Sequence, residues 1–141
     1  NRRDYSQAEV EDWASCGNNL SNIKERIETH YFVVAVNQQS QIVGFSSITP
    51  QGYLHSMFVH KDFQGEGIAT MLLEEIERYA ITAGITRITS EVSLTARPFF
   101  EKKGYAVEKE QKRKANQLSL TNFLMAKEVA FLEYYNKKVT D

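Results

Sequence analysis

One cysteine, Cys16, is all that this chain carries, so no disulfide can close within it and a reducing, cytoplasmic setting is the expectation. A charge excess of either sign is also missing, since the formal net charge is -1. Nucleic acid and membrane surfaces usually demand a clear basic excess, so neither is an expected partner. No apolar run approaches the roughly 18 residues of a membrane span, and no signal peptide is visible. Internal repeats, low-complexity tracts and interdomain linkers are absent too. The 141 residues are therefore expected to form one domain, 1–141, with 128–141 as a C-terminal tail. Apolar residues at 42% against charged residues at 25% suffice for a real core.

What is present falls into a clear order of elements. Ser6-Gln7-Ala8-Glu9 has capping-box spacing before the apolar stripe Val10, Trp13 and Ala14. Asn22 and Glu25 offer a second helix start, with Leu20, Ile23 and Ile27 as its stripe. Strands are then predicted over Tyr31 to Val36, Ile42 to Ile48 and Tyr53 to Val59, joined by polar turns as an antiparallel meander. Ile68, Leu72, Leu73, Ile76, Tyr79 and Ala80 recur at helical spacing and predict a helix from Ile68 to Ala83, closed by Gly84. A strand over Arg87 to Val92 follows, then a short helix from Pro98 to Lys103 stopped by Gly104, then strands over Tyr105 to Glu110 and Leu118 to Lys127. This order indicates one α+β domain.

The join between the third strand and the long helix carries the chemistry. Gln64-Gly65-Glu66-Gly67 runs straight into Ile68. Glycines let the main chain approach a ligand closely, and a helix start adds unpaired N–H groups and a partial positive charge. Together they suit a phosphate or pyrophosphate. A tight turn is the plain alternative. A P-loop would need a lysine after its second glycine, and a dinucleotide fingerprint would need a third small residue and a βαβ opening; neither is present.

Gln64-Gly65-Glu66-Gly67-Ile68-Ala69 resembles the [RQ]-x-x-G-x-[GA] signature of the GCN5-related N-acetyltransferases. Met57 to Phe63 is similar to that family's strand and approach, and Ala96-Arg97-Pro98-Phe99-Phe100-Glu101-Lys102-Lys103-Gly104-Tyr105 to its second block, A-x-x-F-Y-E-K-x-G-F. The resemblance runs from about Tyr5 to Lys127. It implies a mixed, mostly antiparallel twisted sheet flanked by helices, with splayed central strands. The family opens with a strand and a helix that have little counterpart here. With a start at Asn1-Arg2-Arg3 and no methionine, the sequence is expected to begin inside a longer gene product.

By the same resemblance, acetyl-CoA is the expected cosubstrate and a primary amine of a small molecule or peptide the acceptor. Gln64, Gly65, Glu66, Gly67, Ile68, Ala69 and Thr70 would hold the pyrophosphate, Met57, Phe58 and Val59 would pair with the pantetheine arm as an added strand, and Ser93, Phe99 and Phe100 would complete the cofactor site. A main-chain N–H near Met57 or Phe58 would polarise the thioester carbonyl. The family's thiolate-protonating tyrosine aligns with Phe100, which has no proton to give, and its usual asparagine aligns with Ser93. The thiolate then leaves unaided, or Ser93, Tyr105 or water serves. For the base, His55 on the third strand and Glu91 on the fourth compete with solvent. The plain reading of His55 is a histidine on a solvated strand face, and that of Glu91 a carboxylate paired with Arg87 or Arg97.

Phe100 also motivates an alternative function, a non-catalytic acyl-CoA-binding or regulatory module. His30, His55 and His60 lack metal-ligand spacing, so no metal is expected. The cluster Lys109, Lys112, Arg113 and Lys114 is diluted by Glu108 and Glu110 and reads as a solvated hairpin. Phe131-Leu132-Glu133-Tyr134-Tyr135 is apolar for a tail and suits docking on the sheet or on a second subunit, as in a homodimer.

Overall fold

A computed structural model describes residues 29–115 and 118–129. The expected helices around Val10, Trp13 and Ile23, Cys16, and the tail 130–141 lie outside the described residues. Six strands and two α-helices are described. They run β1 (Tyr31–Val36), β2 (Ile42–Ile48), β3 (Leu54–Val59), a 3-10 turn (Lys61–Phe63), α1 (Ile68–Thr82), β4 (Arg87–Ser93), α2 (Arg97–Lys102), β5 (Ala106–Ala115) and β6 (Leu118–Glu128). The strands form two three-stranded sheets, ordered β1-β2-β3 and β4-β6-β5. The described residues gather into two compact units, one of 29–50 and Ser56–Ile76, the other of Gln51–His55 and 77–129.

In the first unit, β1 and β2 pair antiparallel from Tyr31↔Ile48 to Ala35↔Gly44, and the register then slips so that Val36 meets Ile42. Val43 is the extra residue of this bulge. Its carbonyl accepts the His60 amide at 2.8 Å, and its side chain packs with Ile68 and Leu72 of α1. Asn37 fixes the β1–β2 turn. Its side-chain oxygen accepts the amides of Gln39 and Gln41, each at 3.0 Å, the Asx-turn chemistry that makes asparagine a turn residue. Met57, Val59 and Phe63 pack on the Val43–Ile68–Leu72 cluster, while Phe58 lies tilted against the buried Phe45 at 5.7 Å between ring centres. The buried hydroxyls are satisfied: Ser46 Oγ donates to the Ser56 carbonyl at 2.6 Å, and the Ser47 and Ser56 hydroxyls lie 2.9 Å apart.

In the second unit, β4 pairs antiparallel with β6 from Arg87↔Glu128 to Ser93↔Asn122, and β5 pairs with β6 from Ala106↔Ala126 to Ala115↔Leu118. Ile88, Ser90 and Val92 are the buried residues of β4, alternating with Thr89, Glu91 and Ser93 as the strand period requires. The β5 register slips after Val107, leaving Glu108 as the bulged residue, and Glu108 binds Arg87. That bond, opposed by some desolvation, raises the Arg87 pKa and lowers that of Glu108. Beyond the bulge, Lys109 and Lys112 project to opposite faces of β5 and form no common patch.

β3 and β4 belong to separate ladders. Tyr53, just before β3, makes an isolated parallel bridge with Thr89, and no ladder continues from it among the described residues. No described helix is long and apolar enough to cross a membrane.

Candidate functional site

The 3-10 turn and the loop after it deliver the chain into α1. His60 caps the turn, its Nδ1 accepting the Asp62 amide at 3.1 Å, and Gln64 Nε2 donates back to the Val59 carbonyl at 3.3 Å. Gly65 and Gly67 then adopt φ of 83° and 81°, a left-handed conformation that side chains resist. A Cβ on either glycine would meet nothing within 4 Å. The loop is therefore glycine-rich for its backbone conformation and its open approach, not because neighbouring atoms crowd it.

The first bond of α1 runs from the Met71 amide to the Gly67 carbonyl at 3.1 Å. The amides of Gly67, Ile68, Ala69 and Thr70 have no acceptor among the described residues, and the first turn of α1 holds no acidic side chain. Donors and the helix dipole thus converge on one uncapped point. A groove of about 380 Å³ adjoins it, bounded by Asn37, Gln39, Phe63, Glu66 and Met71. An anion carrying a bulky group can reach the amides from that side.

β3 is the terminal strand of its sheet. The side chains of Met57, Phe58 and Val59 are spent on packing, so what these residues can offer a ligand is their main chain. His55 is exposed, with its ring edge-on to Tyr53 at 5.6 Å.

The second unit holds the remaining expected residues. Glu91 and Ser93 project from the same face of β4, opposite the buried Ile88 and Val92. The arginines considered as partners for Glu91 hold other carboxylates: Arg87 binds Glu128 at 3.1 Å and Glu108, and Arg97 binds Glu101 at 3.1 Å. Ser93 Oγ accepts the Ala96 amide at 3.1 Å and so shapes the turn into α2. Phe99 is half-buried, with its ring edge-on to Phe100 at 5.3 Å.

Phe100 and Tyr105 form a structural pair. Gly104 closes α2 with its amide on the Glu101 carbonyl and the Tyr105 amide on the Phe100 carbonyl, a Schellman motif whose hydrophobic contact is the 5.3 Å edge-on pair of Phe100 and Tyr105. Tyr105 is 3% exposed and donates its hydroxyl to Glu77 at 2.7 Å. Burial, then the Glu77 charge and hydrogen bond, push its pKa well above the ordinary 10.0. This removes Tyr105 from the candidates for protonating a thiolate. Lys127 Nζ completes the knot, 3.2 Å from both Glu77 oxygens. No sequence signal announced this knot, because its members are 28 and 50 positions from Glu77.

Known proteins resemble this chain. The model of a family described as an acetyltransferase (GNAT) domain matches residues 1–128. The chain is 30% identical over 122 residues to YafP of Escherichia coli (strain K12), an uncharacterised N-acetyltransferase, with 86% of this chain and 75% of the relative covered. Among solved structures, a GCN5-related N-acetyltransferase of Rhodopseudomonas palustris, also described as a class-II aminotransferase, superposes with a TM-score of 0.73. It is 28% identical, over 89% of this chain and 78% of that one. A phosphinothricin acetyltransferase of Sinorhizobium meliloti, solved in complex with AcCoA, gives a TM-score of 0.75 over 91% of this chain and 87% of that one. At 13% identity the latter is a likeness of fold alone.

Proposed function

The chain belongs to the family of acetyltransferase (GNAT) domains, and on that premise we propose that it is an acetyl-CoA-dependent N-acyltransferase, a single domain that acetylates a primary amine of a small molecule or a peptide. The observation that carries the proposal is the row of amides from Gly67 to Thr70, unpaired among the described residues, at a helix start opened by two left-handed glycines. Main-chain donors of Gly65 to Thr70 hold the pyrophosphate, and Gln64, tied to Val59, keeps the loop in that shape.

Bound acetyl-CoA supplies an activated thioester. The main chain of Met57 to Val59, on the terminal strand of its sheet, pairs with the pantetheine arm. An N–H of Met57 or Phe58 stabilises the oxyanion that forms when the amine attacks the thioester carbon. The C–N bond forms, the C–S bond breaks, and the nitrogen must lose a proton. His55, Glu91 and solvent are the routes for that proton, and Ser93 or water returns one to the sulfur. Ser93, Phe99 and Phe100 are carried over as cofactor contacts, with Phe100, 4% exposed, acting chiefly as support.

The test uses purified protein, acetyl-CoA and a panel of polyamines, amino acids, aminoglycosides and lysine peptides, read by thiol release and by calorimetric binding of acetyl-CoA. Turnover of at least one amine is expected. Absence of both turnover and binding overturns the proposal.

The second reading, a non-catalytic acyl-CoA-binding module, is favoured by one observation: the position of the usual acid is a buried phenylalanine, and the hydroxyl of Tyr105, whose ring packs on it, is held by Glu77. Binding of acetyl-CoA without any transfer, even after Phe100→Tyr, would select that reading.

A further inference from the structure

The second sheet holds a polar row, two of whose three members serve neither the fold nor the proposed cofactor site. Asn122 of β6 stands directly opposite Ser93 of β4 on one side and Gln111 of β5 on the other. Directly paired residues project from the same face, with Cβ atoms about 5 Å apart. The row Ser93–Asn122–Gln111 therefore crosses all three strands. It lies on the face opposite Val92 and Phe123, both buried.

Asn122 Oδ1 and Gln111 Oε1 are both buried, and neither has a hydrogen-bond partner among the described residues. The two carboxamides do not pair with each other, although their register would allow it. Orphaned buried acceptors are rare because each gives up its bond to water without replacement. Here two stand side by side. The next row on the same face holds Glu91, opposite Leu124, with the exposed Lys109 beyond. Two candidates for proton transfer, Ser93 and Glu91, thus share a face with two waiting acceptors.

We propose that Gln111 and Asn122 seat the acceptor's ammonium group, each carboxamide oxygen accepting one of its N–H bonds. This rests on the acetyltransferase reading above and names the residues that choose its acceptor. The chemistry suits a reactive amine. A carboxylate in that place would favour the charged ammonium and oppose its deprotonation, whereas a neutral carbonyl orients the N–H group with a weaker preference for the charge. An alcohol offers a single donor to a site built for two.

The test reads the side chains themselves. In the ¹⁵N-labelled full chain, the carboxamide NH₂ signals of Gln111 and Asn122 are assigned by their loss in Gln111→Met and Asn122→Leu. n-Butylammonium chloride is then titrated at neutral pH, with n-butanol as the neutral control. Both signals should shift saturably with butylammonium and stay put with butanol. With any amine that the wild type turns over, the double variant should raise the amine KM at least about tenfold, leave acetyl-CoA affinity unchanged and melt at a higher temperature, because it removes two unsatisfied buried groups. A purely structural role predicts the opposite melting shift and an unchanged KM. Signals that ignore butylammonium, or follow butanol equally, overturn the site. Acetyl-CoA calorimetry on the same sample separates this failure from failure of the acetyltransferase reading, which the carboxamide shifts do not depend on.

Discussion

The two ends of α1 are built on opposite principles. At the start, four successive amides lack acceptors among the described residues, no acid stands in the first turn and a Cβ on either glycine would meet nothing within 4 Å. At the finish, everything is closed. The Gly84 amide bonds the Ile81 carbonyl at 3.2 Å and the Ile85 amide bonds the Ala80 carbonyl at 2.9 Å, a complete Schellman motif. Thr82 Oγ1 lies 3.0 Å from the Arg78 and Tyr79 carbonyls, and Glu77 is knotted to Tyr105 and Lys127. One helix thus keeps its binding capacity at one end and its stability at the other. Loss of function and loss of stability should therefore separate by position.

The largest expected effect is at the open end. Gly67→Asp places a side chain at φ 81° and a negative charge where the pyrophosphate is proposed to lie. Acetyl-CoA affinity, measured by calorimetry, should fall at least about 100-fold, some 3 kcal/mol. Stability should move little, because aspartate tolerates the left-handed region better than most residues and a helix start favours an acid. Unchanged affinity would break the contrast at its functional end.

Next in size is the knot. Glu77→Leu strands the Lys127 ammonium and the Tyr105 hydroxyl, both of which now bond it. Removing one partner of a buried pair costs several kcal/mol. With the Lys127 and Glu77 side chains 28% and 18% exposed, a denaturant midpoint shift of about 2 kcal/mol is expected. Acetyl-CoA affinity should not follow it. A variant as stable as wild type would show that the knot is incidental.

Gly84→Ala should be smaller. Nothing lies within 4 Å of the new Cβ, so only the backbone at φ 81° resists it, at about 1 kcal/mol. Loss of acetyl-CoA binding in this variant, without unfolding, would mean that the two ends are coupled.

The open end was legible in the sequence and the closed end only in part. Gln64 to Ala69 carries a local motif, and local chemistry is what a sequence displays. The turn Asn37 to Gln41 placed β1 and β2 to the residue, and the helix expected to reach Ala83 ends at Thr82. Gly84 was readable as a cap, but Glu77 was not readable as a hub, since its partners are distant in the chain. β5 extends to Ala115, past the expected Glu110, because pairing with β6 sustains a polar stretch that has no apolar alternation to reveal it. The carboxamide row was hidden for a related reason. The bulge at Glu108 sets which face Gln111 occupies, and a bulge flips every later residue of its strand. The Lys61–Phe63 turn is too short for any period to show.

The smallest expected effect falls on the closed end alone. Folding raises the Tyr105 pKa through burial, aided by the Glu77 charge and hydrogen bond, while the unfolded chain keeps the ordinary value of 10.0. Above that value the unfolded state sheds a proton that the folded state retains, so stability must fall as pH rises. The contribution is fully present below pH 9. By pH 10.5 about 0.8 kcal/mol should be gone, and the loss should steepen beyond. Tyr105→Phe forfeits the hydroxyl bond to Glu77 and starts from a lower stability, but this component of its alkaline slope should vanish. Urea midpoints of both proteins from pH 8 to 10.5 would therefore converge. Parallel profiles would mean that Tyr105 ionises as readily folded as unfolded, and Glu77 would then not be holding its proton in the native state.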